Sequence, residues 1–242
     1  MAATLPASEL VLFDTHAHLH DQTFDNDRGE VLQRATESGV RGLVTVGTDL
    51  DTSVAAIAMA KQYEGVWASI GVHPHDATDW DVATLTRMVV LAREEKVVAL
   101  GEIGLDFFRD LSPRDVQREA FAAQLALADQ LELPVIVHSR DAHEETISIL
   151  EAWAAGGASG REATRPPSTS PPAPLGVIHC FSGDLALAQR YVDIGLLISF
   201  AGPVTYPKNN DLREAAVRLK GESIVVETDC PYLTPQSHRG TR

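Results

Sequence analysis

Eight short apolar runs, alternating with stretches of helical period, constrain this 242-residue chain more than any other feature. The runs lie at 10–14, 42–46, 67–72, 97–101, 134–138, 176–180, 195–200 and 224–228. Helix-like periodicity occupies 27–38, 51–63, 81–95, 113–131, 141–154, 184–193 and 208–219. Asp81, Ser112-Pro113 and Asp141 stand where helices start. "PVIV" and "IVV" are apolar on both faces, as strands of a parallel sheet covered by helices are. Eight such strands predict an α/β fold of the closed (β/α)8, TIM-type kind, at a length one such domain commonly has. The alternative is an open doubly wound sheet.

Two segments break the rhythm. Residues 156–174, "GGASGREATRPPSTSPPAP", hold five of the 13 prolines and almost no large apolar side chain. That composition predicts a flexible insertion rather than a domain boundary, because strand and helix patterns resume on both sides. Residues 1–242 are therefore read as one domain. The eighth run is followed by only 14 residues, so the barrel is expected to lack its last C-terminal helix and to leave an apolar sheet face uncovered.

A formal charge of −14 excludes a protein that coats duplex nucleic acid through lysine and arginine. It leaves room for action on nucleic acid at one small site, where bound cations would supply positive charge. No apolar run reaches membrane-spanning length. The N-terminal residues lack the pattern of a secretory signal, and two cysteines are too few for a disulfide framework. The expected setting is cytoplasmic, away from membranes, as a monomer or weak oligomer.

Polar residues gather at the C-terminal ends of the predicted strands. They are Asp14, His16 and His18 after the first, His73 and His75 after the third, and Glu102 and Asp106 after the fourth. His138, Arg140 and Asp141 follow the fifth, His179 the sixth, and Glu227 and Asp229 the eighth. In a barrel these ends ring one mouth, where sites of this fold are built. Singly, each has an ordinary reading: a capping carboxylate, a hydrogen-bonded core histidine, a turn aspartate. Together, imidazoles and carboxylates suit zinc, manganese or iron, or magnesium where oxygen ligands dominate.

The motifs "DTHAHLHD", "GVHPHDA", "GEIGLDFF", "LPVIVHSRDAHEETISIL", "GVIHCFSGD", "ISFAGPVTY" and "VVETDCPYLTPQSHRG" resemble the TatD-like deoxyribonuclease family of metal-dependent hydrolase barrels. The resemblance runs from about residue 10 to the last residue and misses only 156–174. It implies a metal-dependent deoxyribonuclease, a 3′–5′ exonuclease acting on short or single-stranded DNA ends. Two divalent cations, magnesium, manganese or zinc, would activate water. His16, His18 and Asp229 would hold one, and His138 and His179 the other, with Glu102 bridging. Asp229 and Glu102 are then the catalytic carboxylates, Asp229 accepting the water proton. Glu227 is a candidate to orient a ligand. His73, Arg140, His238 and Arg239 are candidates to grip phosphate. His20 is read as a rim residue. Family members continue past "HRG" into further helices. Hydrolysis of another ester, such as D-aminoacyl-tRNA or a small phosphoester, would suit the same ligands. A non-catalytic metal-binding protein is the alternative from another class.

Overall fold

The structure, a computed structural model, describes residues 11–164 and 173–241, with 157–164 described by backbone alone. Eight parallel strands form one sheet in sequential order: β1 Leu12–Ala17, β2 Val40–Val46, β3 Val66–Ile70, β4 Val97–Asp106, β5 Val135–Arg140, β6 Gly176–Ile178, β7 Leu196–Phe200 and β8 Ile224–Val226. Helices α1 Arg28–Glu37, α2 Leu50–Gln62, α3 Val82–Leu91, α4 Arg114–Leu131, α5 His143–Thr164, α6 Leu185–Asp193 and α7 Asn210–Arg218 connect them. The sheet curls until its first and last strands meet. Thr15 Oγ1 donates to the Val226 carbonyl at 3.1 Å, and the Asp229 N–H donates to the His16 carbonyl at 2.9 Å. This is the TIM-type barrel that the strand count predicts.

Local chemistry explains the helix starts. Asp49, Asp81 and Asp184 each accept an N–H of the first turn of α2, α3 and α6, satisfying a donor that the helix leaves unpaired. Ser112 does not cap α4; its buried hydroxyl donates to the His75 carbonyl at 2.7 Å. Between sheet and helices lies the main core, with Ile70, Leu100, Ile103, Leu105, Phe121, Val137 and Ile198 fully buried. Val44, Val46, Ala99 and Ile136 form a second, smaller cluster that plugs the barrel.

Four elements depart from the sequence reading. β4 does not end at Gly101 but continues to Asp106. Its register against β5 slips between Leu100 and Ile103, which re-sets the alternation of side chains. Ile103 and Leu105 therefore stay in the helix-side core, while Glu102 and Asp106 share the inner face. Gly104 permits this: its φ is +141°, and a Cβ there would run into the His138 carbonyl. Secondly, α5 runs to Thr164, so the first residues of the expected loop 156–174 are helical, and 165–172 lie outside the described residues. The backbone continues the helix begun at His143, which the local Gly and Pro content masked. Thirdly, the predicted ends of α3 and α7 are too generous by a few residues.

Among the described residues no α-helix follows β8. Phe13 and Val226 on β1 and β8 are correspondingly 43% and 49% exposed. No helix of the described residues is long and apolar enough to cross a membrane. Both cysteines are free, and burial pushes the Cys180 thiol up to about 12 and the Cys230 thiol up to about 11.

Candidate metal centre

Period two decides which strand residues reach the barrel interior. His138 shares a face with Ile136, His179 with Val177, and Asp229 follows β8 on the Glu227 face. The apolar members plug the barrel, and the polar members at the strand ends open to the mouth. His16, His73, Glu102, His179, Glu227 and Asp229 are all buried there. Cys180 and Asp229 adopt left-handed backbone with φ of 43° and 56°. Aspartate tolerates that region, and its use at a strand end turns the carboxylate back over the mouth.

Glu102 is the hub. Its Oε1 lies 2.8 Å from His138 Nδ1, 3.0 Å from His179 Nε2 and 3.4 Å from His73 Nε2. Its Oε2 faces the other pair, 3.4 Å from His16 Nε2 and 3.8 Å from His18 Nε2. Asp229 Oδ1 closes that side at 3.7 Å from His16 and 3.5 Å from His18. The two Nε2 atoms of His16 and His18 are themselves 3.2 Å apart. Four of the ligand residues expected from the resemblance, His16, His18, His138 and His179, thus face the fifth, Glu102, and Asp229 faces His16 and His18.

The donor set fits a metal. Bonds of about 2.1 Å to a cation put neighbouring donors about 3.0–3.4 Å apart in octahedral or tetrahedral shells. The separations around Glu102 fall near that range. Three ligand-capable groups occur among the described residues: His16, His179 and Asp229; His16, His18 and Glu102; and His73, Glu102 and His138. Buried His16 Nδ1 has no hydrogen-bond partner, so the ring's polar contacts are all on its Nε2 side, while its face stacks on His179 at 3.9 Å between centroids.

Outer partners aim the rings. His18 Nδ1 can only donate to the Val46 carbonyl at 3.1 Å, which leaves its Nε2 lone pair facing the cluster. His179 Nδ1 donates to Glu227 at 3.1 Å, and Glu227 also accepts from the Cys180 N–H at 2.7 Å and the Ser199 hydroxyl at 2.6 Å. Asp106 accepts from both His75 and His138 at 3.0 Å. Asp14 takes the Thr228 hydroxyl at 2.6 Å and the Thr228 N–H at 2.9 Å, tying the start of the site to its end.

Electrostatics follow from this crowding. Burial alone would raise the Glu102 carboxyl, yet the imidazoles of His179 and His73 hold it well below the usual range. Burial opposes charge on His179, but Glu102 and Glu227 raise its pKa well above the ordinary imidazole value. Burial, reinforced by His179, lowers His16. Burial pushes His73 down to about 4. Asp229 lies below its ordinary value because its imidazole neighbours, His18 first, overcome burial.

The remaining expected residues lie around the mouth. His73 Nδ1 accepts the His75 N–H at 3.1 Å, so its neutral ring carries the proton on Nε2, facing Glu102. The Arg140 guanidinium lies over the Phe108 ring at 3.9 Å, and that of Arg239 over the Tyr206 ring at 4.7 Å. His238 sits exposed in a short 3-10 turn, Gln236–His238. His20 is half-buried, edge-on to His18 at 5.9 Å between ring centroids, and joins none of the ligand groups. Asp106 was visible at the fourth strand end but had no assigned part. Its even spacing from Glu102 was the available signal.

The sequence model of TatD-related DNases matches residues 13–242. The chain belongs to that family. It is 39% identical over 232 residues to the metal-dependent hydrolase YabD of Bacillus subtilis, covering 96% of this chain and 85% of that protein. It is also 39% identical to the 3′-5′ ssDNA/RNA exonuclease TatD of Klebsiella pneumoniae, over 93% of this chain and 80% of the relative. The solved TatD homologue YJJV from Escherichia coli superposes with a TM-score of 0.83 at 31% identity, covering 95% of this chain and 83% of that one. The chain is therefore a metal-dependent hydrolase of this family, with imidazole and carboxylate clusters able to hold metal.

Proposed function

We propose that the Glu102 centre hydrolyses phosphodiester bonds of single-stranded nucleic acid, DNA in the first place, and removes nucleotides from the 3′ end. The observation that carries this reading is the split of one buried carboxylate: Oε1 faces His138, His179 and His73, and Oε2 faces His16 and His18. A carboxylate so placed would offer one oxygen to each of two cations, and the named activity of the TatD relatives supplies the substrate class. Magnesium, manganese or zinc held there would polarise water and phosphoryl oxygen and offset phosphate charge on a chain of net charge −14.

The protein groups then divide the work. Asp229 stays ionised beside His16 and His18 and is the base that takes the proton of the attacking water. Glu227 and Asp106 fix the rings of His179 and His138. His73, neutral with its proton on Nε2, donates to a phosphoryl oxygen without adding charge. His238 and the arginines 140 and 239 stand further out, where they meet the phosphates of the strand.

The reading is tested by offering the metal-loaded protein a panel of single-stranded DNA, RNA, D-aminoacyl-tRNA and small phosphoesters with Mg²⁺, Mn²⁺ or Zn²⁺. Release of mononucleotides from the 3′ end is expected. Turnover of an aminoacyl ester or a small phosphoester with both nucleic acids left intact would replace this assignment. Absence of any turnover by protein that binds metal would favour the non-catalytic alternative.

A further inference from the structure

Two aromatic rings at the mouth take no part in the metal centre, yet they stand in solvent. Among the described residues the exposed aromatic rings are Phe13, Phe108 and Tyr232. Phe13 lies on β1, leaning on Trp67 with centroids 5.5 Å apart. The other two follow metal-centre carboxylates: Phe108 is two residues past Asp106, and Tyr232 three past Asp229. They are 58% and 51% exposed.

Both are held in place by the centre itself. Asp106 Oδ1 accepts the N–H groups of Phe108 and Arg109 at 3.0 Å and 2.7 Å, while its Oδ2 bonds His75 and His138. The Arg140 guanidinium, two residues past His138, backs one face of Phe108 at 3.9 Å and leaves the other to solvent. The Tyr232 N–H donates to the Asp229 carbonyl at 2.8 Å, its hydroxyl reaches Asp21 at 3.3 Å, and its ring meets the edge of His18 at 5.5 Å between centroids. With strands in the order β1 to β8, the β4–β5 ends and the β8–β1 ends face each other across the mouth. Phe108 follows the end of β4 and Tyr232 lies beyond β8, so the two rings belong to opposite sides of the mouth.

An exposed, rigidly held ring matches the face of an unpaired base. Such stacking tolerates any base, because each has a π face, whereas a duplex keeps those faces within its own stack. The cation behind Phe108 strengthens that platform and places positive charge beside the strand. We infer that Phe108, backed by Arg140, and Tyr232 are two base-stacking platforms that hold the unpaired nucleotides on either side of the phosphate at the Glu102 centre. The inference rests on the nucleic-acid reading above and sharpens it: the ligand is a single strand with at least two unpaired bases at its end.

The test crosses substitution with substrate on metal-loaded protein. Oligonucleotides carry 2-aminopurine at one of the last two 3′ positions, or an abasic residue at the same place. Binding and fluorescence quenching are read for wild type, Phe108→Ala, Tyr232→Ala and Phe108→Trp. Each alanine variant is expected to bind the intact strand about ten-fold more weakly, or worse. Each should lose quenching at one of the two positions and show no further loss on the strand abasic there. Phe108→Trp should restore binding and quenching. Equal losses on intact and abasic strands, or quenching that survives in either alanine variant, would overturn the platforms. The 3′-terminal linkages are non-hydrolysable methylenephosphonates, so binding is read without turnover and the two readings fail separately. A protein that quenches but cuts no nucleic acid keeps the platforms and loses the proposed activity. One that cuts while the alanine variants behave as wild type does the reverse.

Discussion

In the proposed mechanism Glu102 carries the chemistry through its two oxygens, one turned to each histidine group. Glu102→Ala should therefore abolish metal-dependent hydrolysis while the barrel still melts cooperatively, and Asp229→Ala should do the same. Activity retained in both variants would refute the site assignment. Asp106→Asn and Glu227→Gln act one step out, on rings rather than on cations, and should weaken metal binding by about 10–100-fold. Titration of the metal-free protein checks this. The pH dependence of binding has a definite sign. Glu102 and Glu227 outweigh burial and raise His179 well above the ordinary imidazole value, so it holds its proton more tightly than a free imidazole. A metal must displace that proton. Affinity should thus fall as pH drops, and calorimetry in buffers of different ionisation enthalpy should show net proton release.

At the scale of elements, β4 is the informative case. The candidate ligands His16, His18, His138, His179 and Asp229 could be picked out in the sequence because each stands at or just after the end of an apolar run, where alternation fixes the face. Glu102 was legible as a strand-end acid, but the continuation of its strand was not. The apolar run ends at Gly101, whereas Gly104 lets β4 pass close to the His138 carbonyl and a register slip keeps Glu102 and Asp106 facing inward. Periodicity carries no trace of such a slip, so the joint work of Asp106 on His75 and His138 stayed hidden. Likewise the helical run of α5 to Thr164 was masked by local Gly and Pro content. Gly104→Ala should lower stability to urea by about 2 kcal/mol or more and weaken metal binding, because the new Cβ pushes the His138 backbone away. An unchanged midpoint would show that β4 and β5 can part without cost.

On the scale of the molecule, barrel closure and site assembly are one event. Asp14 on β1 binds Thr228 beyond β8 through both the hydroxyl and the N–H, and the Asp229 N–H caps the His16 carbonyl. His16 and Asp229, far apart in sequence, are thereby brought into one ligand-capable group. Thr228→Val removes a donor from a buried carboxylate and should cost about 1–3 kcal/mol in unfolding, together with metal affinity. Eight alternating runs made a helix-covered parallel sheet legible and the closed barrel its first reading, with the open doubly wound sheet as the alternative. Its closure contacts were not, since they join residues 214 apart in the chain.

The central claim is that this centre removes nucleotides from the 3′ end of a single strand. It is tested most directly by following 3′-labelled and 5′-labelled single-stranded DNA with metal-loaded protein, beside chelated protein and Glu102→Ala. The account predicts immediate loss of the 3′ label as mononucleotide and a shortening ladder from the 5′-labelled strand, both absent without metal and in the variant. Intact strands with fully metal-loaded wild-type protein, or a ladder that persists in Glu102→Ala, would contradict it.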